Sequence, residues 1–214
     1  MMNYINFLRE VRDNFFEVGA VWPSSRFLGR AFGAPLAHPR GPMHVLEVGA
    51  GNGAITHQIA AMLQPGDCLD VIEINGRLAH DLRLRLERDG LLDRPGIKIR
   101  LINADLLMHH YDAHYDYILS TLPFTCFPAA KTRAILQLLM DLLKPGGAFS
   151  YVKYLFWYRM NRLFGDAQKA GQINGSLSVI NEFGAKFEFA SRIVMLNMPP
   201  ARLQSLRRPL PSGG

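Results

Sequence analysis

The stretch HVLEVGAGNGAIT, residues 44–56, decides how the rest of the chain is read. A short apolar run, HVLEV, passes into Glu47-Val48-Gly49-Ala50-Gly51-Asn52-Gly53, and a helical pattern opens at about Ile55. A glycine turn between a strand and a helix lets backbone N–H groups and the helix N-terminus approach a ligand closely. Gly49, Gly51 and Ala54 also fit the spacing used for dinucleotides, which keeps a nicotinamide-dependent oxidoreductase in view. Glu73, at the end of the next apolar run, CLDVIEI, is placed to accept hydrogen bonds from a ribose diol.

Working outward, apolar runs alternate with helical patterns: CLDVIEI, LAHDLRLRLER, IKIRLIN, YDYILS, AKTRAILQLLMDLL and GAFSYVKY. Strands separated by helices predict a parallel sheet with helices on both faces. Lys144-Pro145-Gly146-Gly147 stops the helix before it. The runs SLSVINEF and KFEFASRIVML read as two further strands with no helix between them, paired antiparallel. Toward the amino terminus, Tyr4, Leu8, Val11, Phe15 and Val18 fall on one face of a helix, and a second helix starts at Ser24 or Ser25. Residues 34–42 and 209–214 read as irregular. The expected organisation is a helical segment at 1–40, an α/β domain at 41–200 and a basic, flexible tail at 201–214 carrying Arg202, Arg207 and Arg208.

A chain of 214 residues, 49% hydrophobic and 20% charged, describes a globular domain able to bury a core. Cys68 and Cys126 form neither a C-x-x-C pair nor a His/Cys cluster, so no zinc site or disulfide framework is expected, and a reducing, cytoplasmic setting is. No apolar run reaches the length of a membrane span. The net charge of +6 favours an anionic partner, either nucleic acid or an anionic membrane face.

Taken in order, Glu47-x-Gly49-x-Gly51-x-Gly53, Glu73, Asp105 after the third strand and Leu143-Lys144-Pro145-Gly146-Gly147 resemble the class I methyltransferases that use S-adenosylmethionine. The resemblance implies a Rossmann-like seven-stranded, mostly parallel sheet with an antiparallel last strand. It implies that the glycines pass beneath the methionine part of the cofactor, that Glu47 supports the loop, that Glu73 holds the ribose hydroxyls and that Asp105 meets the adenine amine. Asn52, Ile74, Asn103, Ala104 and Ser120 complete the implied cofactor side. For Asp105 a helix-cap role ahead of LLMHH is the alternative.

Ser120-Thr121-Leu122-Pro123-Phe124 leaves the fourth strand at the end where ligands of open parallel sheets sit. Ser120, Leu122, Pro123 and Phe124 are therefore the candidate catalytic residues, with Phe124 and Phe127 either walls of a pocket or core. Adenine N6-methyltransferases, the ribosomal RNA dimethylases among them, place an amide where this chain has Thr121, and a hydroxyl cannot reproduce that acceptor.

The stretch Val18-Gly19-Ala20-Val21-Trp22-Pro23-Ser24-Ser25-Arg26, with the S-x-LP loop, resembles bacterial phospholipid N-methyltransferases. That implies methylation of phosphatidylethanolamine toward phosphatidylcholine at the inner face of the membrane, with ornithine-lipid methyltransferases looking alike. The implied partner is an anionic membrane and its lipid, with no DNA and RNA disfavoured. Tyr4, Trp22, Arg26, Trp157 and Tyr158 are candidates for substrate or membrane contact, Trp and Tyr because they prefer the head-group level. The first helix either covers the pocket or enters lipid. A docking module that binds the cofactor without turnover is the non-enzymatic alternative. His109, His110, Tyr111 and His114 are candidate proton acceptors.

Overall fold

The computed structural model describes residues 25–38, 40–154, 167–196 and 200–211. Within them one sheet contains β1 (His44–Val48), β2 (Cys68–Glu73), β3 (Lys98–Asn103), β4 (Tyr115–Ser120), β5 (Leu143–Tyr154), β6 (Glu188–Val194) and β7 (Ala201–Arg207). The strand order is β3-β2-β1-β4-β5-β7-β6. β1 to β5 are parallel, and β7 alone runs antiparallel to both its neighbours. This is the mostly parallel seven-stranded sheet, with an antiparallel last strand, that the sequence motifs imply.

Among the described residues five α-helices accompany the strands: α1 (Ser25–Phe32), α2 (Ala54–Met62), α3 (Gly76–Arg88), α4 (Ala129–Leu142) and α5 (Ala167–Phe187). Central strands read as unbroken apolar runs because both faces are covered. On one face Val45, Leu69, Val71, Tyr117 and Leu119 pack with Leu28 and Phe32 of α1, Ile59 of α2 and Leu82 of α3. On the other, Leu46, Val48, Ile72, Ile118 and Phe149 pack with Ile135 and Leu139 of α4 and Ile180 and Phe183 of α5.

The segment expected at 1–40 is described only from residue 25, and that part belongs to the core. α1 lies on α2, with Gly29 against the side chain of Gln58 and Gly33 against Met62. The buried hydroxyl of Tyr117 donates to the Phe32 carbonyl at 2.9 Å, tying the end of α1 to β4.

Three expectations change. SLSVINEF is not a strand but the middle of α5. Its buried residues Ser176, Val179, Ile180 and Phe183 recur at three- and four-residue intervals, a helical face that β-branched residues disguise. The hairpin partner of β6 is instead β7, in the segment expected to be a flexible tail. Exposed Arg202 and Arg207 make ARLQSLR look solvated, yet Ala201, Leu203, Gln204 and Leu206 are buried. Gln204 is satisfied there by the Tyr151 hydroxyl at 2.8 Å and by Glu188. Finally, the strand expected at GAFSYVKY begins earlier, at Leu143: Lys144–Gly147 ends α4 as expected and also forms an irregularity inside β5, where the register against β4 shifts.

Candidate active site

The strand order doubles back at β1, which has β2 on one side and β4 on the other. In an open parallel sheet the crevice for a ligand opens beyond the carboxyl ends of the strands at such a switch point. Val48 and Ser120 are register partners there, so the glycine loop and the STLPF loop leave the sheet side by side. Thr121 N–H donates to the Val48 carbonyl at 3.3 Å, and Gly49 N–H to the Ile72 carbonyl at 2.9 Å. The Thr121 hydroxyl donates to the Gly49 carbonyl at 2.7 Å. Leu122 N–H donates to the Ser120 hydroxyl oxygen at 3.2 Å. A Cβ at Gly49 would lie 2.7 Å from Leu122 Cδ2, and its φ is +76°, so any side chain there would strain the backbone and drive the loops apart.

Glu73, 8% exposed, braces the glycine loop. Its carboxylate accepts from Gly51 N–H at 2.8 Å and Asn75 N–H at 2.9 Å. Asn75, which sequence reasoning missed, caps α3 by accepting from Arg77 and Leu78 N–H. Asn103 is spent on the exit of β2, its amide donating to the carbonyls of Glu73 at 2.8 Å and Ile74 at 3.2 Å. Asn52 accepts from Ala54 N–H at 3.1 Å at the start of α2. Ala104 packs against the core.

Asp105 opens a turn, since no helix forms at LLMHH: Oδ1 accepts from Leu107 N–H at 2.9 Å and its carbonyl from Met108 and His109 N–H. It stays half-buried at the carboxyl end of β3. Lys131, in the first turn of α4, comes into its field: burial lowers the lysine pKa and the Asp105 charge partly restores it. No motif marked Lys131, because a lysine in a first helical turn looks like an ordinary surface residue.

Glu47 is fully buried one strand residue before the loop, and neither carboxylate oxygen has a hydrogen-bond partner among the described residues. Burial raises its pKa to about 8, with the nearby Thr56 hydroxyl pulling it down and the Glu73 charge pushing it up. The Thr56 hydroxyl is near enough to draw the value down, yet among the described residues it too is buried with no well-formed hydrogen bond.

Ser120, Leu122 and Pro123 sit at the crevice as expected, with Ser120 buried and the other two half-exposed. Phe124 is corrected to core. The 3-10 turn Phe124–Cys126 folds its ring beneath the loop, 5.5 Å from Tyr151, and leaves it 3% exposed. Phe127 is fully buried. α5 holds this turn, Gln172 donating to the Cys126 carbonyl at 2.8 Å and Ser176 to that of Phe127. Among the proton-acceptor candidates, the Tyr111 hydroxyl is committed to the Leu106 carbonyl at 3.0 Å, and His110 is exposed beside Asp112. Arg26 is exposed over the Phe27 ring. Tyr4, Trp22, Trp157 and Tyr158 lie outside the described residues.

At the opposite end of the sheet His44, Cys68 and Asp70 come within 4.8 Å of one another. This is an ion-pair centre: Arg100 holds both Asp70 oxygens at 2.5 Å, and the Tyr115 hydroxyl donates at 2.9 Å. The guanidinium occupies the space and charge that a cation would need.

A switch-point crevice with a glycine loop after β1 and an acid ending β2 is common to nucleotide-binding α/β folds; the order β3-β2-β1-β4-β5-β7-β6, with β7 antiparallel between β5 and β6, is that of the class I methyltransferases. An N-methyltransferase, NodS, from Bradyrhizobium japonicum superposes with a TM-score of 0.59 at 18% identity, covering 87% of this chain and 88% of the other. An O-methyltransferase from Bacillus cereus superposes with a TM-score of 0.63 at 16% identity, covering 94% and 90%. Residues 45–147 match the family model described as a methyltransferase domain. A curated ornithine lipid N-methyltransferase of Singulisphaera acidiphila is 26% identical over 157 residues, 73% of this chain and 81% of the relative. The chain thus has the fold of the class I methyltransferases, whose cofactor is S-adenosylmethionine, and residues 45–147, just under half of it, match a methyltransferase domain.

The residues present fit that cofactor. Gly51 has φ +57° and open space where a side chain would stand. Glu47 offers a buried carboxyl with unfilled hydrogen-bonding capacity beside the loop. Among the described residues no helix is long and apolar enough to cross a membrane.

Proposed function

We propose that this protein transfers methyl groups from S-adenosylmethionine to the amine of a membrane-lipid head group. The observation that carries the reading is the similarity to the ornithine lipid N-methyltransferase, which spans most of both chains. The STLPF loop supports it. The Thr121 hydroxyl is drawn onto the Gly49 carbonyl at 2.7 Å, so the position where adenine methyltransferases present an amide holds a short side chain turned toward the glycine loop. Phosphatidylethanolamine, favoured by the VGAVWPSSR stretch, and ornithine lipid, favoured by the relative, are the two acceptors of this class.

The bound cofactor supplies a methyl group activated on a sulfonium. The chain's part is positional, because in-line displacement needs donor and nitrogen lone pair held close and collinear. Glu73 and the glycine loop fix the donor side through the Gly51 hydrogen bond. Thr121, Leu122 and Pro123 form the acceptor rim, braced from within by the buried Ser120 hydroxyl and tied to the glycine loop through Thr121, so both halves of the site share one frame. Half-exposed Leu122 and Pro123 give the rim an apolar surface, which favours the neutral, reactive form of an incoming amine.

The test is transfer of labelled methyl to extractable lipid, with separate detergent-dispersed samples of phosphatidylethanolamine and ornithine lipid and a parallel ribosomal RNA sample. Label in either lipid and none in RNA is expected. Label in RNA alone, or none in any sample despite cofactor binding, overturns the reading.

A further inference from the structure

Among the described residues seven large apolar side chains are exposed, and four of them fall between residues 189 and 196. Three of these, Ile193 at 46%, Met195 at 69% and Leu196 at 69%, gather at one place in the fold. β6 runs in the same direction as β5, since both are antiparallel to β7. Val194 pairs with Ala201, which pairs with Tyr154, and Ser120 pairs with Tyr151. The turn that follows Val194 therefore stands at the carboxyl end of the sheet, the end that carries the glycine and STLPF loops. Cations flank it. Arg202 lies directly across from Ile193 with Lys153 beyond it, and Arg192 emerges on the opposite face; both arginines are exposed.

We propose that this β6–β7 tip is the element with which the protein docks on an anionic lipid surface, Met195 and Leu196 entering the acyl boundary while Arg192 and Arg202 meet lipid phosphates. The role deepens the lipid-amine reading and rests on it, because it brings the crevice down onto the surface that carries the substrate. Exposed apolar side chains at the end of β6 and in the turn residues that follow it, with cations around them, match the two signals, insertion and charge, that reversible membrane binding requires. A second copy of the chain fits less well. Three side chains fall far short of the roughly 800 Å² per partner of a stable interface, and a two-fold contact would bring the arginines of both copies together.

The experiment is sedimentation of the full chain with vesicles of phosphatidylglycerol and phosphatidylcholine, which carry no methylatable amine, using cofactor binding as the measure of folding. Wild type is expected to co-sediment, and less so as salt rises. M195E/L196E is expected to lose about tenfold or more in partitioning while still binding cofactor. Leu210→Glu, an equally exposed leucine beside Gly146 at the opposite end of the sheet, is expected to leave partitioning unchanged. Partitioning within twofold of wild type for M195E/L196E overturns the proposal, as it would if residues 1–24 were the docking element or covered the tip. An equal loss in Leu210→Glu overturns it too, as does a dimer that M195E/L196E converts to monomer. Methyl transfer to detergent-dispersed lipid needs no docking, so failure of the catalytic reading appears in that assay and failure of docking appears in this one.

Discussion

The two ends of the sheet treat buried acids in opposite ways. At the amino end, Asp67 accepts from both Arg40 Nη atoms at 2.7 Å and from the N–H groups of Met43 and Gln64, and Asp70 is held by Arg100, Tyr115 and His44. Burial opposes both charges, but these partners outweigh it and hold both carboxyls below the usual range. At the carboxyl end Glu47 is as deeply buried with no such partner, and its pKa is raised to about 8. An acid saturated by its own chain fastens strands together. An acid left unsaturated beside a glycine loop keeps its hydrogen-bonding capacity for a ligand, and the fold pays for that with stability.

The comparison can be broken at either end. The largest effect is expected from Glu73→Ala, which removes the loop brace together with the proposed acceptor for the ribose. Two charge-assisted bonds at about 1.5–2 kcal/mol each predict cofactor binding weaker by a few hundredfold, read by calorimetry.

Glu47 comes next. The folded chain keeps its proton to about pH 8, whereas an unfolded glutamate releases it near 4.5. The native state therefore binds more protons between those values, and stability should fall as pH rises through that window, by on the order of 3 kcal/mol. Glu47→Gln should flatten this slope in denaturant melts of the cofactor-free protein. A wild-type profile already flat from pH 5 to 8 would mean that a partner compensates the carboxylate.

Asp70→Asn is expected to cost about 2 kcal/mol, less than the roughly 3–5 kcal/mol of a fully buried pair because Arg100 is partly exposed and can turn to water. Melting should shift while cofactor affinity holds; a matching loss of affinity would erase the distinction between the two ends.

Thr121→Val should be mildest. It loses one hydrogen bond between the two loops, about 1 kcal/mol, and should lower kcat/KM about fivefold with little change in melting. No change would show that the rim needs no tie to the glycine loop.

Legibility along the chain followed how local each signal was. Strand, glycine turn and helix around residues 44–56 are neighbours in sequence, and so are Glu73 and the strand it ends; these were read correctly. Phe124 was not, because whether an aromatic beside a proline lines a pocket or turns into the core depends on the 3-10 turn and on α5 arriving from residues 167–187. β7 was missed because its arginines dominate its composition, while what makes it a strand is β5 on one side and β6 on the other.

The parallel α/β core, its glycine loop and the acid ending β2 are legible in the chain alone, since each rests on short-range periodicity and turn chemistry. Packing at long range is what closes Thr121 onto Gly49, buries Glu47 with no partner among the described residues, and brings the 195–196 turn to the same end as the site. Those facts depend on how distant strands come into register, and register is settled by burying both faces of the sheet at once, which no single segment encodes.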